Sequence, residues 1–81
     1  MIGNKIKALL NIRNIETKTA YEQLGLMQQS FSRKINNNNF KTDELIKLAD
    51  ISDTQLAFID KKTKQPLITF DKDDLEKENN D

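Results

Sequence analysis

The stretch TKTAYEQLGLMQQSFSRKI, from Thr17 to Ile35, decides the fold of this chain. Its first half places Ala20, Tyr21 and Leu24 on one face of a helix of about two turns. Gly25 follows, and glycine readily adopts the positive φ that ends a helix and turns the chain sharply. The pattern therefore predicts a short helix that stops at a tight turn.

The second half of the stretch predicts another helix, which begins near Gln28. Its apolar residues Phe31 and Ile35 lie four positions apart on one face, and Leu26 before them turns inward. Two helices joined by a tight glycine turn describe a helix-turn-helix. In this motif the second helix projects from the body of the domain, so that it fits a DNA major groove.

One further helix is predicted on each side of this motif. The first runs from about Ile2 to Arg13, where apolar residues recur at helical spacing, and Asn14 tolerates the left-handed conformation that ends it. The fourth runs from Thr42 to about Asp50, with acidic residues in its first turn. Thr17 and Thr42 are expected to cap the second and fourth helices through their hydroxyl oxygens.

After residue 54 the pattern changes from helical spacing to strand composition. Gln55–Asp60 and Leu67–Phe70 contain β-branched and aromatic residues and flank the polar segment KKTKQP, which predicts a β-hairpin. Both faces of this hairpin are apolar, and a lone hairpin is not stable in water. We expect one face to cover the helices and the other to meet a second copy of the chain, through Ala57, Ile59 and Ile68. The alternative is that Ile59 is a single exposed apolar residue, which is common.

The expected fold is mainly α with a small β part: four to five short helices containing a helix-turn-helix, followed by a C-terminal β-hairpin. We expect one domain over residues 1–70, with the dimerisation hairpin at about 55–70, and an acidic, disordered tail over residues 71–81. Residues 1–70 carry eleven Lys/Arg and seven Asp/Glu, whereas residues 71–81 carry two Lys and six Asp/Glu. A basic body favours a polyanionic partner, although a bias of this size is also ordinary scatter.

Composition excludes several classes of function. The chain has no Cys and no His, which removes disulfides, thiolate or imidazole metal sites and Cys- or His-based nucleophilic catalysis. No convergent pair of carboxylates is evident, so we expect no enzyme, no cofactor, no metal and no small-molecule ligand. No apolar run reaches membrane-spanning length and no signal-peptide pattern is present, so we expect a cytoplasmic protein without a membrane partner.

Over about residues 2–50 the chain resembles the Cro/C1-type helix-turn-helix repressors, often called XRE-like. TAYEQLGL and QQSFSRKI match the two motif helices, IGNKIKALLNIRNIET precedes them and FKTDELIKLAD follows them. The later hairpin is similar to that of the Cro-like branch, in which β-strands contribute to the dimer. Tyr21 and Lys34 depart from the family pattern, which usually has a small and an apolar residue there. The resemblance implies a homodimeric repressor that binds a pseudo-palindromic operator in double-stranded DNA.

The resemblance also implies which residues contact DNA. In this family, residues at the start and on the outer side of the second motif helix contact base edges, and here these are Gln28, Gln29, Ser32 and Arg33. Glutamine pairs with adenine and arginine with guanine in the major groove. Polar residues around the motif are expected to hold phosphates, and these are Thr17, Lys18, Ser30, Lys34, Asn36, Asn38 and Lys41.

Nearby residues have competing interpretations. Met27 is expected to pack in the interior rather than to contact a thymine methyl group. Tyr21 either fills the core or donates a hydrogen bond to a phosphate. Asn37 and Asn39 are interpreted as residues of a tolerant loop without a contact role.

One alternative function stays open, a protein-binding adaptor such as an antirepressor or antitoxin-like module on the same fold. The acidic tail and the two-faced hairpin favour it. The absence of acids between Gly25 and Asn39 argues against it, because carboxylates repel the phosphates that a DNA-binding surface meets. Plain solvent exposure is the corresponding alternative for Gln28, Gln29 and Ser32.

Overall fold

Four α-helices precede a β-hairpin in the computed structural model, which describes residues 1–75. This confirms the predicted fold class. The helices are α1 (Ile2–Ile12), α2 (Thr17–Gln23), α3 (Gln28–Asn37) and α4 (Thr42–Ile51). The antiparallel strands are β1 (Leu56–Ile59) and β2 (Pro66–Phe70), and a short 3-10 turn follows at Lys72–Asp74.

The apolar stripes of the four helices meet in one core. Its buried apolar residues are Ile6, Leu10, Ala20, Leu24, Phe31, Ile35, Ile46, Leu48 and Ala49. Phe31 lies at the centre of an aromatic group, since its ring centroid is 6.1 Å from that of Tyr21 and 5.9 Å from that of Phe40. Tyr21 therefore packs against the core, which favours the first of its two interpretations.

The turn between α2 and α3 has the predicted form. Gly25 has φ +73°, and its N–H donates to the carbonyl of Glu22 at 3.0 Å. The N–H of Leu26 donates to the carbonyl of Tyr21 at 2.9 Å. This pair of bonds is the Schellman arrangement, which satisfies the last carbonyls of α2. Asn14 after α1 also adopts the predicted left-handed conformation, with φ 57°.

The predicted N-caps are wrong by one residue. Thr17 and Thr42 are the first helical residues of α2 and α4, and the cap positions belong to Glu16 and Lys41. At α4 the backbone N–H of Lys41 donates to the carboxylate Oε1 of Glu44 at 2.9 Å. This bond satisfies the N–H of the N-cap residue, and the hydroxyl of Thr42 is not needed for it. At α2 no side chain caps the helix.

The hairpin pairs Leu56 with Phe70, Ala57 with Thr69 and Phe58 with Ile68, and a bulge follows Phe58. Directly paired residues point to the same face. Ile68 therefore shares the face of Phe58, while Ala57 lies on the other face. The predicted interface set of Ala57, Ile59 and Ile68 is corrected accordingly, because the register places it on two faces.

A hydrogen-bonded turn joins the strands. The N–H groups of Thr63 and Lys62 donate to Oδ1 of Asp60 at 3.0 and 2.8 Å. These bonds hold the pKa of the Asp60 carboxyl below its ordinary value. Because they favour the ionised carboxylate, this turn is most stable at a pH above the ordinary range of an aspartate.

The acidic tail differs in part from its prediction as a disordered segment. Its first residues form the 3-10 turn, in which Asp71 Oδ1 accepts the N–H of Asp73 at 3.1 Å. Residues 76–81 of that prediction lie outside the described residues. Among the helices of residues 1–75, the longest has 11 residues, and none has the length and apolar character that a bilayer crossing requires.

Candidate nucleic-acid interface

The outward side of α3 is a polar surface without a carboxylate. Phe31 and Ile35 are buried on the inner side, so residues half a turn away face solvent. Gln29 and Arg33 lie four positions apart at the centre of this outer side, and both are exposed. We call the surface the α3 face, and it consists of the exposed residues Gln28, Gln29, Ser32, Arg33, Asn36 and Asn37. All four predicted base-contacting residues therefore lie on it.

One flank of the α3 face adjoins the middle of α1 and the start of α2. A shallow cavity of about 130 Å³ has apolar residues of α1 and α3 at its floor. Its polar lining comes from three helices and consists of Lys7, Thr17, Ser32 and Asn36. The predicted phosphate contacts Thr17 and Asn36 thus lie together beside a predicted base contact. Glu16 precedes Thr17 and adds one carboxylate near this flank.

Lys7 was not among the predicted contacts. It follows the buried Ile6, so helical spacing alone places it on the flank of α1. Only the crossing of α1 over α3 brings it to the cavity with Thr17 and Ser32. No local pattern in the sequence marks that crossing.

The other flank is formed by α3 and the chain that follows it. An open pocket of about 220 Å³ lies there, lined by Ser30, Arg33, Lys34, Asn37 and Asn39. Asn37 belongs to the last turn of α3 and not to a loop, which corrects its interpretation. It lies four residues after Arg33, so the two side chains are neighbours on the helix.

Lys34 is not a free phosphate contact, contrary to the prediction. Its Nζ lies 3.2 Å from Oε2 of Glu44 and also donates to the carbonyl of Asn39 at 3.3 Å. The two charged side chains are only 17% and 15% exposed. The ion pair joins α3 to α4, so the charge of Lys34 is engaged within the protein.

Asn38, a predicted phosphate contact, also has a structural role. It ends α3 in the left-handed conformation, with φ 56°. Its Oδ1 accepts the N–H of Gly3 at 3.3 Å, which satisfies a free donor in the first turn of α1. Gly3 is buried against α3, where a Cβ would clash with the carbonyl oxygen of Ile35.

The remaining predicted contacts differ in their exposure. Lys18 and Lys41 are exposed, and Ser30 is half-buried at the pocket on the second flank. Met27 was expected in the interior, and this is wrong, because 72% of it is exposed. It occupies the N-cap of α3, beside the first residues of the α3 face.

The α3 face and its two flanks offer hydrogen-bond donors and acceptors from amide, hydroxyl and cationic side chains. Within residues 1–75 no cluster of three or more acidic side chains is placed to hold a metal ion. The α3 face combines amides, a hydroxyl and one guanidinium, which are groups that recognise base edges. Comparison with protein-family models, with curated proteins and with solved structures gave no match to this chain.

Proposed function

We propose that this chain is a sequence-specific regulator of transcription, a repressor of the Cro/C1 type that binds double-stranded DNA as a homodimer. The α3 face carries the proposal. It presents six exposed polar side chains and no carboxylate on the second helix of a helix-turn-helix. An α-helix fits the B-DNA major groove, and this helix offers the side chains that distinguish base pairs there.

Individual side chains suit different bases. Gln29 has an amide that pairs bidentately with adenine, while Arg33 has a guanidinium that pairs bidentately with guanine. Because they lie one turn apart on α3, they would reach neighbouring base pairs. Gln28 and Ser32 lie beside them and complete the base-contacting set.

Phosphate contacts on both flanks would orient the helix. The first flank supplies Lys7 and Thr17 from two other helices, and exposed Lys18 lies next along α2. The second flank supplies Ser30, with exposed Lys41 after it in the chain. Such contacts release counterions from the DNA. The logarithm of the binding constant therefore falls linearly with the logarithm of the salt concentration, with a slope of roughly 0.9 for each phosphate neutralised.

The hairpin supports the homodimer. Four large apolar side chains remain 57–67% exposed on it, and these are Phe58, Ile59, Leu67 and Ile68. Phe58 and its partner Ile68 share one face and form the exposed apolar cluster of the hairpin, and exposed apolar clusters mark interaction sites. A second copy covering them would place two α3 helices in successive major grooves, roughly 34 Å apart on a pseudo-palindrome. The proposal places the protein in the cytoplasm and gives it no enzymatic activity and no cofactor.

Selection from random double-stranded DNA tests the proposal. The wild-type chain should enrich a pseudo-palindrome with half-sites about 10 base pairs apart, centre to centre. Selection with Gln29→Ala and with Arg33→Ala should each relax the preference at one position per half-site. Gln55→Ala removes the same side-chain type as Gln29→Ala, and Lys61→Ala removes the same charge as Arg33→Ala. Both lie near or in the hairpin, and both variants should enrich the wild-type site.

Two results would contradict it. The wild-type chain could enrich nothing, or the two α3 variants could enrich the same sequences as the wild type. A stoichiometric protein partner together with no DNA affinity at low salt would instead favour the adaptor function. The exposed apolar cluster of the hairpin would then be the surface that such a partner covers.

A further inference from the structure

Met27 is an exposed apolar residue at the leading end of an otherwise polar surface. It is 72% exposed, and its backbone is extended at the N-cap of α3, with φ −85° and ψ 159°. The next apolar residue along the helix, Phe31, is buried in the core. Met27 therefore does not contribute to the core, and its side chain lies in solvent next to Gln28 and Gln29.

We propose that Met27 contacts the C5-methyl group of a thymine and so helps to determine the DNA sequence that the chain prefers. This inference rests on the proposed function. The N-terminal residues of a recognition helix contact base edges, so a side chain at the N-cap of α3 reaches the floor of the groove. Thymine is the base that presents an apolar group there.

The chemistry of methionine suits this contact. Its side chain is unbranched, flexible and polarisable, so it adapts to the position of a methyl group. Its neighbours Gln28 and Gln29 end in amides, which pair with polar base edges. Burial of a single methyl-sized group corresponds to about a fourfold change in affinity.

Replacement of thymine by deoxyuridine isolates this contact, since it removes the methyl group and keeps the carbonyl that accepts hydrogen bonds. Each thymine of the selected half-site is replaced in turn, and the affinity is measured by mobility shift at fixed salt. The wild-type chain should lose about fourfold at one thymine. Met27→Ala should bind the thymine and deoxyuridine sites equally, and Met27→Leu should retain most of the difference.

Ile12→Ala is the matched control. Ile12 is also an exposed aliphatic residue, 76% exposed near the end of α1, and its loss should leave the fourfold difference unchanged. The inference is overturned by a selected half-site without thymine, by a wild-type chain that binds all deoxyuridine sites as tightly, or by Met27→Ala retaining the difference. A chain that binds no DNA would overturn the proposed function and this inference together.

Discussion

Gly3 sets the distance between α1 and α3. A Cβ at this position would clash with the carbonyl oxygen of Ile35, which is backbone and has little room to move. Alanine has higher helix propensity by about 1 kcal/mol, but overpacking costs about 1–3 kcal/mol. We expect Gly3→Ala to lower the free energy of unfolding in urea denaturation. Asn4→Ala, at the exposed neighbouring position, should stay within about 0.5 kcal/mol of wild type. A Gly3→Ala variant more stable than wild type would contradict this account.

The structural role of a residue could be predicted where it depends only on neighbouring residues in the sequence. Gly25 and Asn14 were identified as positive-φ residues because the helical pattern stops beside them. The roles of Gly3 and Asn38 were not identifiable, because they depend on α1 meeting the end of α3, 35 residues along the chain. The prediction that Met27 lies in the interior was wrong for a different reason. An apolar residue next to a turn usually packs inward, but Met27 is 72% exposed.

The ion pair between Lys34 and Glu44 fixes α3 relative to α4. Its charges are mostly buried, so removal of either one leaves the other poorly solvated. A double-mutant cycle with alanine should give a coupling energy of roughly 1 kcal/mol or more in unfolding experiments. The pair of Lys72 and Asp50 is the matched control, because its N···O distance is 3.5 Å and its side chains are 67% and 52% exposed. Its coupling should be about 0–0.5 kcal/mol. Equal coupling energies for the two pairs would contradict the proposal that the pair of Lys34 and Glu44 fixes α3 relative to α4.

The same junction explains the four consecutive asparagines. Asn36 and Asn37 belong to the last turn of α3, and Asn38 ends the helix and caps α1. The backbone N–H of Asn39 donates to the carbonyl of Lys34 at 3.0 Å. The carbonyl oxygen of Asn39 accepts a hydrogen bond from Nζ of Lys34. The sequence predicted a loop at Asn37 and Asn39. It did not show that α3 continues through Asn37, because asparagine has poor helix propensity and tertiary packing overrides it.

The molecule as a whole has a small core and an uncovered hairpin. Phe58 and its partner Ile68 form the exposed apolar cluster, and the ring centroid of Phe58 lies 5.7 Å from that of Phe70. If a second copy covers this cluster, Phe58→Asp should shift the chain from dimer to monomer in sedimentation equilibrium, because it would bury a charge. Ile12→Asp places the same charge at the exposed last residue of α1 and should leave the dimer intact. A wild-type chain that is monomeric at all concentrations would contradict the homodimer.

At this scale the sequence predicted the class of fold and the α3 face, but only part of the surroundings of that face. Periodicity alone separates inner from outer residues on one helix, so Gln29 and Arg33 were placed as the structure has them. The engagement of Lys34 with Glu44 and the arrival of Lys7 at the α3 face depend on how separate helices cross. The hairpin register depends on a bulge that no composition signal marks.

The most direct test of DNA recognition by the α3 face is one binding titration on the selected duplex at a fixed salt concentration. It compares the wild-type chain with Arg33→Ala and with Lys61→Ala, which removes an equal charge from the hairpin turn. A lost bidentate contact to guanine should weaken Arg33→Ala by about tenfold or more. The lysine variant should stay within about twofold, because it loses no base contact. Equal affinities for the two variants would contradict the assignment of the α3 face as the surface that recognises DNA.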